Sequence, residues 1–150
     1  MNKLLIAILL SLMPISEVRG SIPFALKYGF SPVKVFFIMS FFNILVIPIV
    51  FFFLDNIHHH CLKISHYERF FNYYIEKIRK KAEEKIKLSG YLALFFFVAI
   101  PIPTTGAYTG TLLAWFFKLN RKHSFITISL GVLFSSLIVT LLSLGIINLL

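Results

Sequence analysis

The sequence is short of charge. Only 14% of its 150 residues are Asp, Glu, Lys or Arg, and just six of those are acidic. A soluble domain carries about a quarter charged residues and about half apolar ones. Here 58% are hydrophobic, 18 are phenylalanine and mean hydropathy is +0.86. An ordinary soluble fold is thereby excluded, and the length allows one membrane domain. Cysteine is nearly missing: Cys61 stands alone, so no intrachain disulfide can form. A nucleophile elbow, a phosphate loop and a zinc-protease motif are all lacking. The chain therefore reads as a non-enzyme with no cofactor. Its formal net charge of +9 would suggest nucleic acid in a soluble protein. In a membrane protein, Lys and Arg collect in loops that stay cytoplasmic. That explains the charge, and no nucleic-acid partner is expected.

What is present is apolar length. Residues 33–54, VKVFFIMSFFNILVIPIVFFFL, supply the roughly 20 residues a helix needs to cross a bilayer. Pro48 inside this run removes one backbone hydrogen bond, which membrane helices tolerate when neighbours cover the gap. Residues 124–150 form a second, uncharged run, in which Gly131, Ser135 and Ser136 make a small-residue face for close helix contact.

Between them lies one polar region, residues 55–87. From Tyr67 onward the apolar residues recur at helical spacing: Phe70, Phe71, Tyr74, Ile75, Ile78, Ala82, Ile86. Arg69, Lys77, Arg79, Lys80, Lys81, Lys85 and Lys87 crowd the opposite face. This reads as a basic amphipathic helix on the cytoplasmic membrane surface, with a solvated connecting helix as the alternative. His58, His59, His60, Cys61 and His66 resemble a metal cluster. Zinc ligands sit in separated pairs, and three consecutive histidines cannot all reach one ion from a helix. A polar interfacial loop is the better reading, and no metal is expected.

Two apolar runs are too short to cross. Residues 4–13 run into Pro14, and residues 88–100 run into Pro101. Setting one proline on the other aligns LMPISEVRGSIPFALKYGF with AIPIPTTGAYTGTLLAWFF. Each copy is followed by a short basic stretch and a spanning helix. Paired, Pro/Gly-interrupted apolar segments in corresponding halves point to a transporter-type site. Backbone freed by such residues must be buried in protein or line a wet cavity, and a re-entrant hairpin does this. It also puts Lys118, Arg121 and Lys122 on the side of the basic central segment, as the positive-inside rule favours. The single crossing between the hairpins inverts the second half. The plain alternative is four simple crossings, with 4–26 and 91–117 spanning. Residues 11–23 also resemble a signal-peptide cleavage region ending near Gly20. Arg19 and Pro14 suit cleavage poorly, and the matching proline at 101 favours retention.

The candidate site follows from these breaks. Glu17 and Arg19 are charges at membrane depth, which cost from about 2.5 kcal/mol upward and usually pair, face inward and serve a function. A non-helical tip could bring the two together, with Ser16 and Ser21 as neighbours. Glu17 is then a candidate proton-coupling group and Arg19 an anion or phosphate clamp; the bland reading is a structural ion pair. In PIPTTGAYTG, residues 101–110, the hydroxyls of Thr104, Thr105, Tyr108 and Thr109 face a substrate or freed carbonyls. Pro14, Gly20 and Pro23 are expected at the first turn, and Pro101, Pro103, Gly106 and Gly110 at the second. The bland reading of the second motif is packing alone.

PISEVRGSIP (14–23) and PIPTTGAYTGTLLA (101–114) resemble the two signatures of the small multidrug export protein family. In layout the chain is similar to the wider DedA-like superfamily. The resemblance covers nearly the whole chain. It implies facing hairpins from two inverted halves, and efflux or the movement of lipid carriers or phospholipids coupled to protons. Two positions depart from the pattern. Thr104 stands where glycine is usual, and Phe42-Asn43 replaces a Gly-Asn pair, which leaves Asn43 as a polar candidate in midmembrane.

The expectation is an all-α polytopic membrane protein of the cell membrane. Two inverted half-repeats, 1–54 and 88–150, each a re-entrant hairpin plus a transmembrane helix, are joined by the connector 55–87. Its function is expected to be proton-coupled transport of an amphipathic or lipid-phosphate-like substrate. So short a chain is expected to work as a homodimer. The alternative is a non-transporting scaffold or assembly factor.

Overall fold

The computed structural model describes residues 2–61, 86–102 and 105–149, without the side chains of 57–61, 86–88 and 147–149. Among the described residues all regular structure is helical: α1 (Lys3–Leu12), α2 (Glu17–Lys27), α3 (Pro32–Cys61), α4 (Ile86–Ala99), α5 (Ala107–Phe116) and α6 (Arg121–Leu149). The order is twice the same: short helix, break, short helix, tight turn, long helix. The amphipathic stretch from Tyr67, together with His66, Pro103 and Thr104, lies outside the described residues.

Local chemistry sets the boundaries. Asn2 caps α1 through its side chain. Pro32 opens α3 at the position where a missing N–H costs nothing, and that helix continues through Pro48. Asn120 caps α6, accepting the Lys122 N–H at 3.0 Å. Both inner helices end in a Schellman turn. For α2, Gly29 (φ 78°) donates to Leu26 O at 2.9 Å and Phe30 to Ala25 O at 3.4 Å. For α5, Lys118 takes the left-handed position (φ 50°); it donates to Trp115 O at 3.0 Å while Leu119 donates to Ala114 O at 2.9 Å.

The two long helices carry the membrane character. Pro32–Asn56 and Arg121–Ile146 are long and apolar enough to cross a bilayer. Along α3, Val33, Phe37, Phe41, Leu45, Ile49 and Phe53 form an exposed stripe at intervals of four residues, Phe37 being 64% exposed. Along α6, Ile126, Leu130, Phe134, Leu137 and Leu141 form another, at intervals of three or four. Exposed apolar surface of this extent suits lipid and not water.

Inside, α2 buries the stripe Val18, Ser21, Ile22, Ala25 and Leu26 and packs on α1, α3 and α6. The short helices turn back on themselves: α1 lies along α2, and the Lys3 ammonium sits 4.0 Å from the centre of the Tyr28 ring. Residues 4–26 therefore do not form one straight rod. Likewise the Tyr91 hydroxyl near the start of α4 accepts the Asn120 N–H just past α5, at 3.1 Å. The molecule has two ends. One gathers Lys3, Lys27 and Lys34; we call it the lysine end. At the other, Asp55 accepts from Arg121 Nη2 at 2.7 Å and from Trp115 Nε1 at 3.1 Å, joining α3, α5 and α6.

Candidate functional site

A helix that stops leaves its last carbonyls without partners. At the first break, Met13–Ser16, Pro14 has no N–H to offer them. Two residues from elsewhere take over. Asn43 of α3 donates from Nδ2 to Ser11 O at 2.8 Å, and the Tyr108 hydroxyl of α5 donates to Leu12 O. Removing one such donor from a buried carbonyl costs about 1–3 kcal/mol. Tyr108→Phe, which keeps the ring, is expected to lower stability by that amount. The midpoint of denaturant unfolding in detergent checks it.

The second break runs from Ile100 to Gly106. Ile102 N–H turns back to Ile100 O at 2.8 Å around Pro101. The Thr105 hydroxyl lies 3.0 Å from Ile100 O and 2.9 Å from Ile102 O, so its one proton serves one of these at a time. At the head of α5, Thr109 Oγ1 accepts the Gly106 N–H at 3.0 Å. The next free donors face Glu17. Its Oε1 accepts Tyr108 N–H at 3.4 Å, and the Ala107 N–H also points at the carboxylate. A carboxylate suits the partial positive charge of a helix N-terminus. Glu17 is 5% exposed. It fits because residue 106 has no side chain: a Cβ there would lie 1.7 Å from Glu17 Oε2.

A non-helical tip could have brought Glu17 and Arg19 together. Instead both lie in the first turn of α2, and each reaches across to the second break. Arg19 Nη2 donates to Thr105 Oγ1 at 3.1 Å, while its Nε is buried without a protein partner. No ion pair joins Glu17 to Arg19 among the described residues. Glu17 itself has φ 45°, a left-handed backbone that costs a non-glycine residue of order 1–3 kcal/mol. Ser16 folds over Gly20, where a Cβ would lie 2.0 Å from Ser16 Oγ.

The structure thus brings Glu17, Arg19, Ser16, Asn43, Thr105 and Tyr108 to one crossing of the two breaks. Pro14, Pro101 and Gly106 sit at the breaks. Gly20 and Pro23 do not: both lie within α2. Gly110 lies within α5, one turn past the break. These glycines serve close packing, and Pro23 withdraws one bond from a helix that neighbours surround on three sides. Thr104 lies outside the described residues. Sequence reasoning passed over Asp55 and Trp115, and used Arg121 only for topology. The signals were there: a lone tryptophan, and the single acid at the end of the α3 span.

A family model described as "Putative small multi-drug export protein" matches residues 17–138. Comparison with curated proteins and with solved structures gave no match.

Proposed function

The chain belongs to the Putative small multi-drug export protein family, and on that premise we propose that it is a membrane transporter whose working site is the crossing of its two helix breaks. One observation carries the reading: a carboxylate and a guanidinium are held between broken helices, about 15 Å of helix rise away from the lysine end. Charges at that depth are costly and mark pathways.

In this reading each half is a re-entrant hairpin plus one crossing, and the halves are inverted. The repeated element order, the paired Schellman turns and the contacts Lys3–Tyr28 and Tyr91–Asn120 support it. Residues 55–87 face the cytoplasm together with Lys118, Arg121 and Lys122, by the positive-inside rule. Arg19 engages the anionic group of an amphipathic or lipid-phosphate-like substrate. Its partner is a hydroxyl rather than a carboxylate and its Nε is unclaimed, so its charge is not neutralised by direct pairing. Glu17 carries the coupling proton. Two copies of so small a bundle work together as a homodimer.

A second reading has its own observation. Asn43, Tyr108 and Glu17 all bond to backbone inside the protein, as they would in a scaffold that only packs. Liposome flux decides. Native protein should move a labelled anionic phospholipid, and Glu17→Gln and Arg19→Ala, checked for folding, should each lower the rate at least tenfold. Equal flux in all three sinks the site. Absence of flux for phospholipid and for cationic dyes alike favours the scaffold.

A further inference from the structure

The buried polar residues are unevenly placed. Apart from Glu17 they are Ser11, Ser21, Ser40, Asn43, Thr111, Ser124, Ser135, Ser136, Thr140 and Ser143. Helix direction assigns each to a half of the molecule. Helix α1 runs from the lysine end to the breaks, and α2 runs back. Helix α3 runs from the lysine end to Asp55, and α6 returns from Arg121, bonded to Asp55, packing along α3. At about 1.5 Å per residue on both helices, Ser135 and Ser136 come level with Ser40, close to Asn43. Thr140 and Ser143 lie further toward the lysine end. Eight of the ten therefore fall between the breaks and the lysine end; Thr111 and Ser124 alone fall in the other half.

We propose that the lysine-end half of the bundle holds a narrow water-filled path leading to Glu17 and Arg19, and that packing closes the way from the breaks to the opposite end. A second observation points to water in particular. Ser21 Oγ, Ser40 Oγ, Asn43 Oδ1 and Ser135 Oγ have no hydrogen-bond partner in the protein, and their residues are at most 2% exposed; toward the Asp55 end only Ser124 Oγ and Ser129 Oγ, both on α6, share this among the described residues. Buried polar atoms of this kind are normally satisfied by bound water. They come from three helices, and α2, α3 and α6 all pack on one another. Past the breaks the bundle is closed by contact. Val98 of α4 fills the space left by Gly110 and Gly131, where added Cβ atoms would lie 2.6 and 2.8 Å from its side chain. Val46 and Ile47 of α3 are buried and apolar on this side.

This path rests on the membrane placement proposed above but not on transport. The test replaces native Cys61 by serine and installs single cysteines in liposome-embedded protein. Silver ion, small enough for a narrow water path, is added to one face at a time. Cysteine at Lys27 identifies the lysine-end face. Cysteines at Ser21, Ser40 and Ser135 should react from that face at least tenfold faster than from the other. Cysteines at Ile47, Val98 and Ile128 should be protected from both. Equal protection of the two sets, or equal reaction from both faces, overturns the proposal. Hydrogen exchange on the unaltered chain gives an answer that no misfolded variant can spoil: α2 amides should exchange faster than those of α5, and equal protection overturns the path. One-sided reaction without any flux would keep the path and remove the transporter.

Discussion

Gly106→Ala is expected to remove most of the protein's stability. The new methyl carbon would stand 1.7 Å from Glu17 Oε2 and 2.4 Å from Glu17 Cδ, far inside contact distance. The carboxylate must leave, and with it goes its seat on the Tyr108 and Ala107 N–H groups. Overpacking alone costs about 1–3 kcal/mol, and stripping a buried charge of its partner about 3–5 kcal/mol. Even the lower sum approaches the whole margin of a small domain. The contact has a specific signature. With Glu17→Ala already made, the methyl has room, so adding Gly106→Ala should then cost almost nothing. Unfolding of both single variants and the double in detergent gives the coupling energy. Additive losses would mean that Glu17 does not occupy the glycine's space.

The next largest effect is expected at Gly131→Ala. Its Cβ would meet Val98 Cβ at 2.8 Å, Val98 Cγ1 at 3.0 Å and the Phe95 carbonyl at 3.2 Å. Valine is stiff about χ1, and the carbonyl belongs to the α4 backbone, so neither can swing aside. Helix α4 must move off α6 as a body. A loss of about 1–3 kcal/mol is expected, together with a looser α4 that binds less firmly in hydrogen exchange. Val98→Ala should recover part of this in the double variant, because the shortened side chain admits the methyl. The Phe95 carbonyl still crowds it, so full recovery would show that the backbone contact is unimportant.

Much of this was legible in the sequence. The two long runs are there because lipid-facing helices need apolar residues on all sides, so hydropathy alone finds them. The long helices begin before the apolar runs, at Pro32 and Arg121, because caps and not hydropathy set a helix start. Pro14 and Pro101 announced the breaks, and Glu17 and Arg19 stood out as charges in apolar surroundings. Their partners did not stand out. Glu17 and Tyr108 are 91 residues apart, and no local pattern reports which helix end a carboxylate will cap. Asn43 was legible as a polar residue in a span, but not as the donor that finishes α1. Gly20 and Pro23 were misplaced for a related reason. Such residues signal a turn in isolation, whereas here packing by three neighbouring helices holds them in one.

Chain order gives the Glu17 contacts a further meaning. Synthesis delivers α1, α2 and α3 to the membrane before residues 105–108 exist. Through that interval Glu17 has no helix to cap, Arg19 has no Thr105, and Leu12 O has no Tyr108. The first half is an incomplete object whose charges wait for the second. A fragment ending after α3 should therefore be poorly retained or quickly degraded, while the second half supplied as a separate chain should rescue it. The polar crossing, besides any work it does in the finished protein, acts as the fastening that makes assembly wait for completion.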